Sequence, residues 1–89
     1  MPSISMFYGI VIYLYYMDNN QHHLSHIHAR YQNDEIIVSI SDGKILDGKL
    51  PVNKLKLLLA WMEIHKEELI ADWNLAVDGQ QPYKIEPLR

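Results

Sequence analysis

HIHARYQNDEIIVSI, residues 26–40, contains the hairpin that decides the fold. Two runs rich in β-branched and aromatic residues flank a polar turn, so strands are predicted at about residues 26–31 and 35–41. Asn33 and Asp34 suit the positive φ values of a tight turn, which predicts a two-residue loop at these positions. Side chains alternate across a strand, so the hairpin has two faces. The face that we call inner collects Ile27, Ala29, Tyr31, Ile36, Val38 and Ile40, and the outer face collects His26, His28, Arg30, Ile37 and Ser39.

Further strands are predicted on both sides of this hairpin. Residues 10–16 are almost all β-branched or aromatic, which is typical of a strand covered on both faces, and Gly9 is expected to bend its entry. Asp42-Gly43 is a second turn signal and leads into a short strand at residues 44–46. The chain from residue 1 to residue 47 is therefore predicted to be an antiparallel β-meander of three to four strands.

After Pro51 the apolar period changes from two to about 3.6 residues, which predicts helix over residues 51–79. A single rod of that length would be about 40 Å long, whereas a domain of this size is about 30 Å across. The apolar stripe weakens near His65, so two helices are predicted at residues 52–64 and 67–78. We expect both to pack on the inner face and to leave the outer face open. Residues 80–89 are predicted to be an extended tail that packs down.

Composition limits the class of protein. With 89 residues, 48% of them hydrophobic and 21% charged, the chain predicts one ordered α+β domain over residues 1–89. It contains no cysteine, and hence no disulfide, which fits a cytoplasmic location. A net charge of -3 argues against nucleic-acid binding. The apolar stretch at residues 4–17 lacks a basic leader and is shorter than the roughly 20 residues that span a bilayer, so no membrane association is expected.

Five short motifs in order resemble a family of small bacterial proteins of unknown function, and together they cover nearly the whole chain. They are SMFYGIVI at residues 5–12, H-x-x-x-H-x-H at residues 22–28, G-x-L-P at residues 48–51, W-x-x-x-H-x-x-E-L-x-x-x-W at residues 61–73 and I-x-P-L at residues 85–88. This chain departs from the family pattern at Leu24 and Ser25, where the family usually has two prolines, and at Ile27, where it has an aromatic residue. The resemblance implies a compact α+β fold, a bacterial origin and a neighbouring small gene, an arrangement that looks like a toxin–antitoxin pair.

Four of the five histidines lie within residues 22–28, and three interpretations of this cluster remain open. The first is that a polar strand face carries imidazoles only because they are soluble there. The second is a zinc or nickel site, in which His26 and His28 would be joined by His22 or Asp18 from the preceding loop. The third is metal-independent RNA cleavage, with His26 and His28 as acid and base. In that case Arg30 would stabilise an anionic intermediate, and Tyr13 or Tyr15 would position a base.

An open sheet face on a small domain also favours a protein partner. The tyrosines at positions 13, 15 and 16 add aromatic surface of the kind found at interfaces. We therefore expect a protein-interaction component of a two-gene, toxin–antitoxin-like module, with either a different protein or a second copy of the chain as its partner. A histidine-dependent site on the outer face is the alternative.

Overall fold

The structure is a computed structural model that describes residues 3–14 and 24–89. In this part of the chain, five strands form one antiparallel sheet in the order β1-β2-β3-β4-β5, followed by two helices. The strands are β1 (Ser3–Phe7), β2 (Ile10–Tyr13), β3 (His26–Tyr31), β4 (Asp34–Ser39) and β5 (Ile45–Gly48). The helices are α1 (Val52–Ile64) and α2 (Lys66–Val77). The predicted α+β meander is confirmed, with five strands in place of three to four.

The additional strand is β1, which the sequence analysis did not separate from the run at residues 10–16. Phe7 lies opposite Ile10, so Tyr8 and Gly9 form a two-residue hairpin loop, with φ values of 51° and 81°. Positive φ values at both loop positions match the right-handed twist of the two strands that the loop joins. Gly9 therefore belongs to a reversal of the chain, where the sequence had indicated only a bend.

The β3–β4 hairpin is shifted by two residues from the predicted register. The prediction placed Arg30 opposite Ile37, whereas Arg30 lies opposite Glu35 and Tyr31 opposite Asp34. The loop is therefore Gln32-Asn33, with a φ of 54° at Gln32. The observed register sets two opposite charges directly across from each other, and such pairs stabilise antiparallel strands.

The inner face of the sheet contributes to a single apolar core. The ring of Trp61 in α1 lies 5.2 Å from the ring of Phe7, centroid to centroid, which places α1 on this face. The buried core comprises Ile4, Phe7, Ile10, Ile12, Leu14, Ile27, Ala29, Ile36, Val38, Ile40, Leu50, Leu58, Trp61, Met62, Leu69, Ala76 and Ile85. Strands, both helices and the tail therefore share one cluster.

The predicted helix break is confirmed at His65, which caps both helices with φ −108° and ψ 23°. Pro51 precedes the first helical residue, and Gly79, with a φ of 81°, follows the end of α2. No helix in the described ranges is long and apolar enough to cross a bilayer.

The tail after α2 packs against the fold, as predicted. The Ile85 amide donates a hydrogen bond to the carbonyl oxygen of Ile4 in β1, at 2.8 Å. The Trp61 indole Nε1–H donates to the carbonyl oxygen of Glu86, also at 2.8 Å. The tail thus connects the first strand of the sheet to α1.

Candidate functional site

The predicted pair His26 and His28 is brought together, but this end of the outer face is not open. Their rings are 5.4 Å apart, centroid to centroid, and only 0% of His26 and 4% of His28 is exposed. The ring of Trp73, in α2, lies 5.0 Å from that of His26, so α2 reaches the start of β3. The expectation of an open histidine face was therefore wrong, because an aromatic side chain from the second helix covers part of it.

His26 is further constrained by its backbone neighbour. Its Nδ1 lies 2.6 Å from the carbonyl oxygen of Leu24. A carbonyl can only accept, so Nδ1 carries the proton that is donated, and in the neutral ring Nε2 is the nitrogen that can accept a hydrogen bond. The bond fixes both the tautomer and the ring orientation of His26.

His28 and Arg30, both predicted site residues, form a charged cluster with Glu35, which was not predicted. Its Nδ1 lies 3.6 Å from Oε2 of Glu35, and Oε1 of the same carboxylate lies 3.8 Å from Nη2 of Arg30. Glu35 therefore stands between an imidazole and a guanidinium. Glu35 was not among the predicted site residues, because the predicted register placed it beside the loop and not opposite Arg30.

Of the remaining predicted site residues, the structure describes Tyr13. Tyr13 is half-buried and lies opposite His28 in the β2–β3 register. His22 and Asp18, the other two predicted metal ligands, lie outside the described residues, as do Tyr15 and Tyr16. Among residues 3–14 and 24–89, no three histidine, aspartate or glutamate side chains are grouped closely enough to hold a metal ion.

Exposure on the outer face increases toward the β1–β2 and β3–β4 hairpin loops. There, Met6 lies opposite Val11, Val11 opposite Arg30, and Arg30 opposite Glu35, in one row across four strands. We call these four residues the open row. Met6 is 66% exposed, and the Arg30 and Glu35 side chains are 59% and 43% exposed. The outer face is therefore closed at His26 and accessible at the open row.

Two further polar groups were not singled out as site residues from the sequence. In the turn between the helices, His65 Nδ1 lies 2.5 Å from Oε1 of Glu68, and the His65 ring is 5.6 Å from that of Trp61. Asp72 is buried in α2, and its Oδ1 accepts a hydrogen bond from the Tyr83 amide at 3.0 Å. Burial raises the pKa of the Asp72 carboxyl, and the nearby charge of Glu68 adds to this effect.

Helical spacing could have identified Asp72 as a buried residue. It stands three residues after Leu69 and four before Ala76, both of which are buried, so it falls on the apolar stripe of α2. A carboxyl group in such a position needs a hydrogen-bond partner, and the tail supplies one through Tyr83.

One of three comparisons with known proteins gives a match. No curated protein and no solved structure matches the chain. A family model described as a domain of unknown function, DUF4160, matches residues 9–74, which include β2 to β5, α1 and most of α2. On this match, the chain belongs to the DUF4160 family.

Proposed function

We propose that this chain is the protein-binding component of a two-gene, toxin–antitoxin-like module, and that it contacts the product of the neighbouring gene through the open row. The single observation that carries the proposal is the exposure of Met6 beside Val11, with Arg30 and Glu35 continuing the same row. The gene arrangement is the one that the family resemblance implies.

The chemistry of the open row suits a protein surface better than a small molecule. An exposed apolar side chain bordered by charges is typical of protein interfaces, in which methionine and arginine are enriched. Arg30 and Glu35 also offer a partner one positive and one negative charge at a fixed spacing. Charges at the border of an interface favour the correct orientation of the partner and accelerate association.

The test measures binding of the purified chain to the purified product of the adjacent gene by isothermal titration calorimetry. Met6→Asp should weaken binding at least about tenfold, because it introduces a charge into the apolar part of the contact. Val52→Asp is the matched control, since Val52 is 69% exposed in α1 and undergoes a comparable change on a different surface. Absence of binding by the unmodified chain, or equal losses in both variants, would contradict the proposal.

A histidine-dependent site is the second candidate function, favoured by the position of Glu35 between His28 and Arg30. A carboxylate beside an imidazole can hold the ring in the orientation that acid–base catalysis requires. Arg30 would stabilise negative charge on a reacting phosphate, whereas a zinc or nickel ion would instead use the imidazole nitrogens. Tyr13, directly across from His28, would complete the predicted catalytic set.

The histidine candidate is tested with His28→Gln, because glutamine fills more of the buried position than alanine does. Loss of zinc binding in this variant would indicate a metal site, and loss of RNA cleavage would indicate a nucleolytic site. His65→Gln is the control, since His65 also contacts a glutamate but lies in the turn between the helices. Identical zinc binding and identical cleavage in the unmodified chain and His28→Gln would exclude this function.

A further inference from the structure

The two edges of the sheet are not equally covered. At the β1 edge, the tail donates the Ile85–Ile4 hydrogen bond. At the other edge, β5 pairs with β4, and no strand in the described part of the chain pairs with its outer side. Ile45 is 43% exposed there. An uncovered edge strand presents backbone donors and acceptors to which another strand can pair.

An irregularity in β5 determines which face of the sheet carries Asp47. Ile37 lies opposite Asp47 and Val38 opposite Ile45, so Leu46 is an extra residue in the ladder. Paired residues share a face, which puts Asp47 on the outer face of the sheet and Ile45 on the inner face.

Backbone hydrogen bonds extend this assignment to both ends of the strand. The Ser39 amide donates to the carbonyl oxygen of Lys44, and the Lys49 amide donates to the carbonyl oxygen of Glu35. Lys44 and Lys49 therefore stand beside two outer-face positions of β4. The outer face of the β5 edge carries Lys44, Asp47 and Lys49, all of them exposed.

This charge pattern is complementary to itself. In an antiparallel pairing of β5 with a second β5, centred between Ile45 and Leu46, Lys44 lies opposite Asp47 of the other copy. The same pairing sets Ile45 against Leu46, and it brings Lys49 toward Asp42. Each contact occurs twice because the pairing has two-fold symmetry. Opposite charges stabilise cross-strand pairs, and like charges directly opposite each other destabilise them.

We propose that the partner at this edge is a second copy of the chain, and that two β5 strands join two five-stranded sheets into one ten-stranded sheet. The extra residue at Leu46 is essential to the pairing. Without it, Lys44 and Asp47 would lie on opposite faces and could not meet across the symmetry axis. The dimer edge adjoins the open row, because Lys49 stands beside Glu35. The pairing itself uses none of the four open-row residues, so the inference does not depend on the proposed function.

Charge exchange tests the contact by sedimentation equilibrium. Lys44→Asp and Asp47→Lys should each raise the dimer dissociation constant by roughly tenfold or more, because each places like charges opposite one another twice. The double variant Lys44→Asp/Asp47→Lys should return it to near the unmodified value, since the two charges are only exchanged. Lys56→Asp, the same reversal on the exposed surface of α1, should leave dimerisation unchanged.

Cross-linking tests the register, and the absence of native cysteine makes it unambiguous. When Lys44→Cys and Asp47→Cys proteins are mixed and oxidised, the disulfide-linked heterodimer should exceed either homodimer by several-fold, because facing residues fall within the Cα separation that a disulfide needs. A chain that is monomeric at millimolar concentration, or a double variant that remains dissociated, would overturn the dimer. Preferred linkage of Asp47→Cys to Lys49→Cys would overturn the register.

Discussion

At the residue scale, Gly48 is the glycine, among the four in the chain, whose position leaves the least room for a side chain. A Cβ atom there would stand 2.0 Å from the carbonyl oxygen of Glu35, and the φ of 78° is itself unfavourable for other residues. Gly79 has nearly the same φ, 81°, with nothing within 4 Å of a Cβ atom. Alanine substitutions at the two positions therefore distinguish the free-energy cost of the positive φ from the cost of the steric contact with β4.

Gly48→Ala should therefore be much more destabilising than Gly79→Ala. The conformational cost of about 1–2 kcal/mol applies to both. Only Gly48→Ala must also displace the β4 backbone, which should bring its total to about 3 kcal/mol or more. Urea denaturation of the two variants measures the difference, and equal losses would show that the chain relaxes away from Glu35 at little cost.

The buried carboxyl group of Asp72 should make stability depend on pH. Its pKa is raised in the folded chain, chiefly by burial, so the folded state binds this proton more tightly than the unfolded state does. The resulting stabilisation is fully present below the pKa of an unfolded aspartate and is lost as the pH rises through the raised pKa. Above that point, the folded chain contains a buried charge.

Asp72→Asn removes this charge and keeps an oxygen that can accept the Tyr83 amide. Relative to the unmodified chain, the free energy of unfolding of Asp72→Asn should increase as the pH is raised from about 3 to neutrality. Thermal denaturation across this range provides the measurement. Asp78→Asn, the same change at the exposed residue that follows α2, is the matched control.

At the scale of elements, the sequence predicted the faces of the β3–β4 hairpin correctly although its register was wrong. The observed pairing differs by two residues, and a shift of two returns every side chain to the same face. Ile27, Ala29, Ile36 and Val38 are accordingly all buried in the core. The helix boundaries were predicted well because the break at His65 coincides with a local weakening of the apolar stripe.

The accessible part of the outer face could not be predicted from local patterns. The coverage of His26 depends on Trp73, which lies 47 residues further along the chain, so no local pattern around His26 reports the contact. The open row likewise depends on β1, whose separation from β2 requires a positive φ at Tyr8. A tyrosine at such a position is uncommon, so the sequence carries only the signal of Gly9.

The C-terminal tail should contribute to stability through one side chain and not through its exposed surface. Ile85 is 5% exposed and belongs to the core, whereas Tyr83 is 75% exposed. Ile85→Ala should therefore cost about 2–5 kcal/mol, and Tyr83→Ala about 0.5 kcal/mol or less because its backbone bond to Asp72 remains. Comparable urea midpoints for the two variants would mean that the tail is not part of the cooperative fold.

At the scale of the whole molecule, the helices and the sheet cannot be stabilised separately. The core cluster takes Ile4 from β1, Leu58 from α1, Leu69 from α2 and Ile85 from the tail. A chain of this length buries only about 60% of the surface that its unfolded form exposes. Loss of any one layer would therefore leave the others without enough buried apolar area to remain folded.

The chain should accordingly unfold in one cooperative transition. Tryptophan fluorescence reports on the helices, because Trp61 and Trp73 lie in α1 and α2, whereas far-ultraviolet circular dichroism reports on strands and helices together. Urea curves recorded by the two methods should have the same midpoint and the same slope, about 1–3 kcal/mol/M.

Dimerisation through β5 would make the midpoint rise with protein concentration. The charge-reversed variant Lys44→Asp weakens this dependence and changes only an exposed residue, so the two methods are compared in that variant at low protein concentration. A fluorescence change that precedes the circular dichroism change there would show that the helices detach from a sheet that survives alone.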